Sequence, residues 1–382
     1  MPHTSQTICA LLTLQLVAAC PAPELPQEFV AQGFTRYPGN PVINPRELRS
    51  PTSGTFNVAA TADPCVLWDE DAQLWRAYFT FWDWYAEEHG QMAAGISGAT
   101  SADGKNFVPL GALALEQQGT FDTGSVETCD VVKVDDPERA GAKLYYMYYS
   151  GSTAGDDEHP GFYQMGLAIS RDGRRFTPLA ADRSKDGVPG LLFSIGDVLG
   201  GAEDPDSFVT DPTVVLVDGA FHMWSLCVEL APEPYGGICY HSSSDGVSWR
   251  HHGLISGLKR AFAIQPTVFH NPTLDRFEMY VVMDTPEEEA QIHDMATNLG
   301  LRVSAFYHAT SKDGLRWTES SATPALAENT SLPSEDRGLA TAADAEVKDD
   351  VVHLYYPSFT TLGGPGFGTL LNWPLNLATR PL

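Results

Sequence analysis

The chain has 382 residues, of which 43% are hydrophobic and 10% aromatic, which is enough apolar material for a sizeable core and excludes a disordered chain. Its 49 acidic and 23 basic residues give a formal net charge of −26, which argues against nucleic acid or an anionic membrane surface as a partner. A length of 382 residues fits one large domain or two, so internal patterns must decide the organisation.

The first twenty residues have the features of an export signal. An apolar run over 8–19 has the length of a signal-peptide core and is too short to span a membrane as a helix. It ends in Val17-Ala18-Ala19-Cys20, which resembles the lipobox of bacterial lipoproteins. We therefore predict a signal peptide over 1–20, lipidation of Cys20, a tether over 21–35, and export to the bacterial cell envelope. The alternative is plain secretion after cleavage near Ala19.

Four cysteines follow the predicted signal peptide: Cys65, Cys129, Cys227 and Cys239. In an oxidising compartment an even number favours disulfides, and four cysteines allow three pairings. Free buried thiols are the alternative. The spacing matches no zinc motif, so no metal ligation is predicted from these residues.

A short motif, Ser-x-Asp-Gly followed three residues later by an aromatic residue, occurs four times. Its aspartates are 69, 73 and 68 residues apart, at Asp103, Asp172, Asp245 and Asp313. Such regular spacing indicates a repeated supersecondary unit. We interpret the motif as a structural turn in which Asp accepts backbone hydrogen bonds and Gly takes a positive φ. The aromatic residue is expected to pack between sheets. These aromatic residues are Phe107, Phe176, Trp249 and Trp317.

About forty residues before each turn lies a segment that begins with a polar residue and continues apolar, and a fifth such segment has no turn after it. The polar residues are Asp63, Thr128, Asp211, Gln265 and Asp344. An aromatic-rich second strand follows each segment. Strands joined by Gly, Asp and Asn turns, without amphipathic helices, predict four-stranded antiparallel blades. Five units predict an all-β, five-bladed β-propeller over 36–382, with the N-terminal segment completing the last blade.

The inner strands of a propeller converge on a central channel, so these five polar residues are expected to form a ring, with Glu127 and Asp130 flanking Thr128. Carboxyl groups held this close have pKa values pushed apart, which lets one act as a base and another as an acid. Trp82 and Trp84 lie in an aromatic cluster suited to stacking on sugars or packing between blades. His222 and His353 occupy equivalent places on second strands and are expected in the core or the channel, not on a metal.

The five repeats, Asn40-Pro41-Val42-Ile43, Asp63-Pro64-Cys65-Val66 and Tyr146-Met147-Tyr148-Tyr149-Ser150-Gly151 resemble the five-bladed-propeller glycosidases over roughly residues 36–380. These are the arabinanase and β-xylosidase family 43 and the invertase-like family 32. The resemblance implies that Asp63 is the base or nucleophile and that Asp211, also in an Asp-Pro pair, positions substrate or tunes the acid. It places a glutamic acid where this chain has Gln265, whose amide does not donate a proton as a carboxylic acid does.

Glu127 is the best substitute for that acid, with Glu203, Asp204 and Glu229 in reserve. The sequence thus predicts a glycoside hydrolase that acts on a neutral oligo- or polysaccharide through its carboxyl groups. The expected catalytic residues are Asp63, Asp211 and Glu127, and the expected substrate-binding residues are Trp82, Trp84, Asp130, Gln265, Asp344 and His222.

The alternative is a non-catalytic carbohydrate-binding or surface-scaffold propeller that has lost its general acid. In either case we expect a monomer without metal or cofactor, which touches a membrane only through a lipid anchor. A channel Ca²⁺ ion is compatible with the sequence but is not predicted.

Overall fold

The computed structural model describes residues 33–382, except for 52, 55–57, 84–93, 117–118, 154–161, 201–206, 230–234, 259–261, 285–301, 304, 322, 328, 330, 333–338, 341, 359 and 365–366. The predicted signal peptide, Cys20, Trp84, Glu203 and Asp204 lie outside the described residues. Trp82 is described through its backbone alone. Within the described ranges, no helix is both long and apolar enough to cross a membrane.

The described chain is all-β, and its main sheets are five antiparallel blades, as predicted. In each of the first four blades a long first strand pairs with a long second strand, and shorter strands follow outward. The first blade contains β2 (Val58–Asp69), β3 (Leu74–Asp83), β4 (Ala94–Ser101) and β5 (Val108–Pro109). The second contains β6 (Ser125–Asp135), β7 (Lys143–Ser152), β8 (Tyr163–Ser170), β9 (Thr177–Pro178) and β10 (Leu191–Phe193).

The third and fourth blades repeat this order. The third contains β11 (Ser207–Val217), β12 (Ala220–Glu229), β13 (Tyr235–Ser243) and β14 (Arg250–Leu254). The fourth contains β15 (Phe262–Asn271), β16 (Arg276–Asp284), β18 (Ala305–Ser311), β19 (Thr318–Glu319) and β20 (Leu326–Ala327). In the second and fourth blades two short strands share the outer position, since both pair with the third strand.

The fifth blade is built from both ends of the propeller. It contains β22 (Asp344–Lys348), β23 (Val351–Pro357), β26 (Leu375–Pro381) and, from the N-terminal side, β1 (Thr35–Arg36). Thr35 pairs with Thr379, so the N-terminal segment closes the ring as predicted. Residues 33–35, predicted as the end of the tether, therefore belong to the propeller.

The remaining elements are small. Two two-stranded ribbons are formed by β17 (Arg302–Val303) with β21 (Leu339–Ala340) and by β24 (Thr360–Gly364) with β25 (Phe367–Asn372). A five-residue helix, α1 (Ile195–Leu199), and three short 3-10 turns at Pro45–Glu47, Ala181–Arg183 and Lys185–Gly187 interrupt the strands. Apolar clusters lie between neighbouring blades and form the core, so each blade buries both of its faces.

The Ser-x-Asp-Gly motifs are turns, as predicted. In the first blade Ser101 Oγ accepts from the Gly104 amide at 3.0 Å, and Asp103 Oδ1 accepts from the amides of Lys105 and Asn106 at 2.9 and 2.8 Å. Gly104 has a φ of 71°, a conformation that glycine adopts without steric cost. The same bonds recur in the other three turns.

Each turn also joins its blade to the preceding blade. The glycine carbonyl accepts a hydrogen bond from an aromatic side chain on the neighbour's second strand, and the aromatic residue after the turn packs edge-on against that same side chain. The hydrogen-bonded pairs are Tyr78–Gly173, Tyr148–Gly246, Trp224–Gly314 and Tyr355–Gly104. The ring pairs are Tyr78–Phe176, Tyr148–Trp249, Trp224–Trp317 and Tyr355–Phe107. The motif is therefore an inter-blade contact as well as a turn.

The four cysteines form two disulfides. Cys65–Cys129 joins the first strands of blades one and two, whereas Cys227–Cys239 joins two neighbouring strands within blade three. The cysteines are therefore paired, and the pairing is one of the three that the sequence allows.

Candidate active site

One residue in the first strand of each of the first four blades, and one just before the first strand of the fifth, has a left-handed backbone conformation. Its φ is 47° at Asp63, 36° at Thr128, 54° at Asp211, 48° at Gln265 and 58° at Ala342. In the first four blades the strand register shifts at this residue, as expected for a β-bulge. These five residues, which we call the first ring, are structurally equivalent. The fifth member is therefore Ala342, and the expectation that it is Asp344 is wrong.

A second ring lies two residues further along each first strand and consists of Cys65, Asp130, Thr213, Thr267 and Asp344. Each member pairs across the blade with an aromatic residue of the inter-blade contacts or its equivalent, which confirms the alignment. The partners are Tyr78, Tyr148, Trp224, Tyr280 and Tyr355.

Second-ring side chains link neighbouring blades by accepting hydrogen bonds from backbone amides of the next blade. Thr213 Oγ1 accepts from Val268 N at 3.1 Å, and Thr267 Oγ1 accepts from Ala345 N at 2.9 Å. Two of the links use carboxylates. Asp344 Oδ2 accepts from Val66 N at 2.5 Å, and Asp130 Oδ2 accepts from Val214 N.

Asp130 and Asp344 therefore have a structural role between blades. Burial raises the pKa of Asp344 to about 6, and burial together with the nearby Asp344 charge raises the pKa of Asp130. Their role in substrate binding stays a prediction.

The residues of the two rings, apart from Cys65, line a cavity in the channel with about 340 Å³ of unoccupied space, part of it continuous with solvent. Asp63, Asp211, Gln265, Asp130 and Asp344 are among its lining residues. Glu127 and His222 are not among the described residues that line this cavity. Glu127 lies one residue before the first ring, and His222 lies between blades three and four.

Three carboxyl groups from three blades influence one another at the first ring. Burial raises the pKa of Asp63 well above its usual value, and the negative charges of Asp211 and Glu127 raise it further. Burial also raises the pKa of Glu127, and it raises that of Asp211 to about 7, with the Glu127 charge contributing. Because these groups are coupled, ionisation of one disfavours ionisation of the others. The cluster is thus able to hold an acid and a base at neutral pH.

Hydroxyl groups on the second strands fix the backbone that carries these carboxyls. Thr80 Oγ1 accepts from the Thr128 amide at 3.0 Å, and Ser150 Oγ accepts from the Asp211 amide at 3.1 Å. The Thr80 side chain also hydrogen-bonds Asp63, which partly offsets the rise in its pKa. A hydroxyl of one blade therefore positions the first-ring residue of the next.

Glu127 has its own hydrogen-bond donors. Tyr163 lies at the start of β8 and directs its hydroxyl to Glu127 Oε2 at 3.4 Å, and Ser125 also hydrogen-bonds Glu127. Both contacts favour the ionised form. The charge of Glu127 in turn raises the pKa of Tyr163. Tyr163 could not be predicted from the sequence because it belongs to no repeated motif.

Gln265 occupies the place where the resemblance predicts a glutamic acid. Its side chain hydrogen-bonds Asp211 and favours the ionised form of that carboxyl. Its Oε1 atom is buried in the cavity wall and has no hydrogen-bond partner among the described residues. The amide nitrogen is therefore the donor to Asp211, and the oxygen is left as an acceptor at the cavity.

Two other candidates lie apart from this cavity. His222 contacts Tyr240 OH through Nδ1 at 2.7 Å and packs against Phe277, between blades three and four. Glu229 is the last residue of β12 and not part of the following loop, and its Oε1 has no partner among the described residues. Within the described part of the chain, no group of three or more His, Cys, Asp or Glu side chains is arranged to hold a metal ion.

The fold and the site define a five-bladed β-propeller with a carboxyl cluster at its channel. No protein-family model matches the chain, and no curated protein matches it in sequence. Among solved structures, it is similar to an N-acetylgalactosamine deacetylase from F. plautii in complex with blood group B trisaccharide, with 16% identity and a TM-score of 0.55 over 90% of this chain and 96% of that chain.

It is also similar to a β-1,2-mannobiose phosphorylase from Listeria innocua in complex with β-1,2-mannobiose, with 13% identity and a TM-score of 0.57 over 91% of this chain and 96% of that chain. A glycosyl hydrolase from Bacteroides ovatus gives 14% identity and a TM-score of 0.58 over 92% of this chain and 95% of that chain. At these identities the likeness concerns the fold. The resemblance to families 43 and 32 stays a prediction.

Proposed function

We propose that the protein is a glycoside hydrolase whose reacting carboxyls are Asp63, Glu127 and Asp211. The observation that carries this proposal is the meeting of three coupled carboxyl groups, from three blades, beside a channel cavity open to solvent. Glycoside hydrolysis needs one carboxylic acid to protonate the leaving oxygen and one carboxylate to activate water or attack the sugar. The similar structures named as a glycosyl hydrolase and a mannobiose phosphorylase support this reaction class.

The surroundings of each carboxyl group suggest its role. Asp63 is half-buried, and desolvation together with two negative neighbours raises its pKa, so it is the group that best keeps its proton and is the proposed acid. Glu127 receives hydrogen bonds from Tyr163 and Ser125, so it is the proposed carboxylate. The resemblance implies that Asp63 is the base, and the sequence predicts Glu127 as the substitute acid; this assignment exchanges those two roles. Asp211 accepts a hydrogen bond from Gln265, and its negative charge raises the pKa of Asp63.

The proposed substrate is a neutral sugar chain. The described residues that line the cavity include four aspartates and no Lys, Arg or His, so a uronic acid or a phosphate would face only negative charge there. Phosphorolysis requires inorganic phosphate at the reacting carbon. Hydrolysis is therefore the better match for this cavity than the phosphorylase reaction.

Leaving-group chemistry separates the acid from the base. With a panel of neutral disaccharides and aryl glycosides, Asp63→Asn is expected to lose 100-fold or more on the disaccharides but much less on aryl glycosides with an acidic phenol, which leaves without protonation. Glu127→Gln is expected to lose activity on both and to regain it with added azide. The exposed Asp135→Asn serves as the control and should match the wild type.

The alternative remains a carbohydrate-binding propeller without catalysis, which the amide at Gln265 favours. No turnover across the panel, with sugar binding that survives Asp63→Asn, would establish this alternative and refute the hydrolase.

The proposed location is outside the cytoplasm, with a lipid anchor at Cys20. Two disulfides in the described propeller support an oxidising compartment. Cys20→Ser should release the protein from the membrane fraction of the producing bacterium. Unchanged membrane association would refute the anchor.

A further inference from the structure

The second ring has one link that differs from the other four. Four seams between blades are joined by a hydrogen bond from a backbone amide to a second-ring Asp or Thr. In the seam between blades one and two, the second-ring residue is Cys65, which forms a disulfide with Cys129 of the next blade. A covalent bond therefore stands where the other seams have a hydrogen bond.

The chemistry of sulfur explains why the hydrogen bond is absent from this seam. A cysteine sulfur is a weak acceptor compared with a carboxylate or a hydroxyl. The amide that corresponds to the donors of the other seams is Val131 N, and it donates to Asp130 Oδ1 at 2.7 Å in its own blade. Without the disulfide, Cys65 would offer this seam little attraction.

The disulfide lies close in sequence to two reacting carboxyls. Cys65 is two residues after Asp63, and Cys129 is two residues after Glu127. The bond is 1% and 6% exposed at its two cysteines, and Cys129 lines the cavity. We propose that Cys65–Cys129 is a positioning element that fixes the separation between Asp63 and Glu127. This rests on the proposed function only for its catalytic consequence.

Other contacts keep blades one and two together, so loss of the disulfide should loosen the site without unfolding the protein. Thr128 N donates to Thr80 Oγ1 at 3.0 Å across the same seam. Further along the same strands, Asp69 binds Lys133 and Tyr145 of the second blade, each at 2.5 Å. The disulfide is thus the link nearest the carboxyls, not the sole link of the seam.

The chain offers a matched set of variants. Cys65→Ala with Cys129→Ala removes the link. Cys65→Thr with Cys129→Ala replaces the disulfide with a threonine hydroxyl, as found between blades four and five. There Ala345 N donates to both Thr267 Oγ1 and Asp344 Oδ1, each at 2.9 Å. Cys227→Ala with Cys239→Ala removes the disulfide within blade three and is the control.

The measurement is a carboxyl titration by NMR, which needs no substrate. In each background, the coupling of the two carboxyls is read as the change in the Asp63 pKa caused by Glu127→Gln. Because charge–charge interaction weakens with distance, we expect this change to fall by about half or more in the double-alanine variant. It should recover in the threonine variant and match the wild type in the control.

Equal coupling in all four backgrounds would overturn the proposal, as would equal loss in both double-alanine variants. If a substrate is found, the double-alanine variant should lower kcat with little change in KM, because the missing link disturbs the reacting groups and not the sugar contacts. Altered coupling in a protein that never turns over a glycoside would retain the positioning role and refute the hydrolase.

Discussion

The hydroxyl of Tyr355 in the fifth blade donates a 2.9 Å hydrogen bond to the carbonyl oxygen of Gly104 in the first blade. This contact closes the ring between its last and first blades with the same bond that joins three other seams. The seam between blades four and five is different because the fifth blade lacks the turn motif. There the equivalent Tyr280 accepts from Arg380 Nε instead.

Tyr355→Phe should destabilise the propeller by about 1–2 kcal/mol, since it leaves the buried Gly104 carbonyl without its donor. Urea unfolding followed by tryptophan fluorescence measures this loss. The half-buried Tyr37→Phe is the control and should have a smaller effect. A Tyr355→Phe protein as stable as the control would mean that this bond does not stabilise ring closure.

Asp69→Asn should be more damaging, at about 3 kcal/mol or more. Asp69 is fully buried and accepts hydrogen bonds from Arg76 at 2.7 Å and from Lys133 and Tyr145 at 2.5 Å. Neutralising it leaves the buried Arg76 without its counter-ion and Lys133 with the exposed Asp71 alone. The matched control is Asp135→Asn, which breaks an exposed pair with Lys143 and should change little. Equal unfolding midpoints for the two variants would contradict this prediction.

Asp211→Asn should make folding stability less dependent on pH between 5 and 8. The pKa of Asp211 rises from an ordinary 3.8 to about 7 on folding, so the folded state binds the proton more tightly than the unfolded state. The resulting stabilisation is complete below the unfolded pKa and is lost as pH rises through about 7. Asp211→Asn has no carboxyl group to titrate at this position, so its folding stability does not fall for this reason as pH rises.

We therefore expect Asp211→Asn to gain about 1 kcal/mol or more relative to the wild type on going from pH 5 to pH 8, because one pKa unit corresponds to about 1.4 kcal/mol. Urea unfolding at both values measures the difference. A parallel pH dependence in the two proteins would show that Asp211 is not a buried, proton-holding carboxyl.

His241→Gln should reduce the loss of stability below neutral pH. His241 is fully buried, contacts Ser225 Oγ through Nε2 at 2.9 Å, and faces His251 Nδ1 with its own Nδ1 at 2.8 Å. Burial holds its pKa well below 6.5, and the neighbouring His251 lowers it further. The unfolded state therefore takes up the proton first, and stability falls as pH drops through about 6.5.

The test compares unfolding at pH 7.5 and pH 5 for wild type, His241→Gln and the partly exposed His270→Gln. The smallest difference is expected for His241→Gln. If His270→Gln reduces the difference in stability between the two pH values and His241→Gln does not, the His241–His251 pair is not the acid-sensitive group.

The number and type of blades could be predicted because each turn requires Gly at a positive φ, Asp as a backbone acceptor and an aromatic residue at a fixed place. The fifth first-ring residue could not, because no turn follows it and the sequence offers a polar residue, Asp344, two positions after the true equivalent, Ala342. Backbone conformation, not residue type, defines that equivalence.

Other parts of the site depend on contacts between distant segments. Tyr163 meets Glu127 across two strands of one blade, and neither its position nor its neighbours repeat in other blades. His222 follows the repeat, but strand spacing does not say which side of a blade faces the channel. The disulfide pairing likewise depends on which blades are neighbours in space.

The first ring has a further consequence. The left-handed backbone conformation is kept whether the residue is Asp63, Thr128, Gln265 or Ala342, so the backbone at each position is set by the blade and not by the side chain that it displays. Five independent positions therefore surround one cavity, and substitution at any of them changes the chemistry there without requiring a new fold. Ala342 is the first-ring position without a polar side chain: it carries a methyl group where Asp63 and Asp211 carry carboxyl groups.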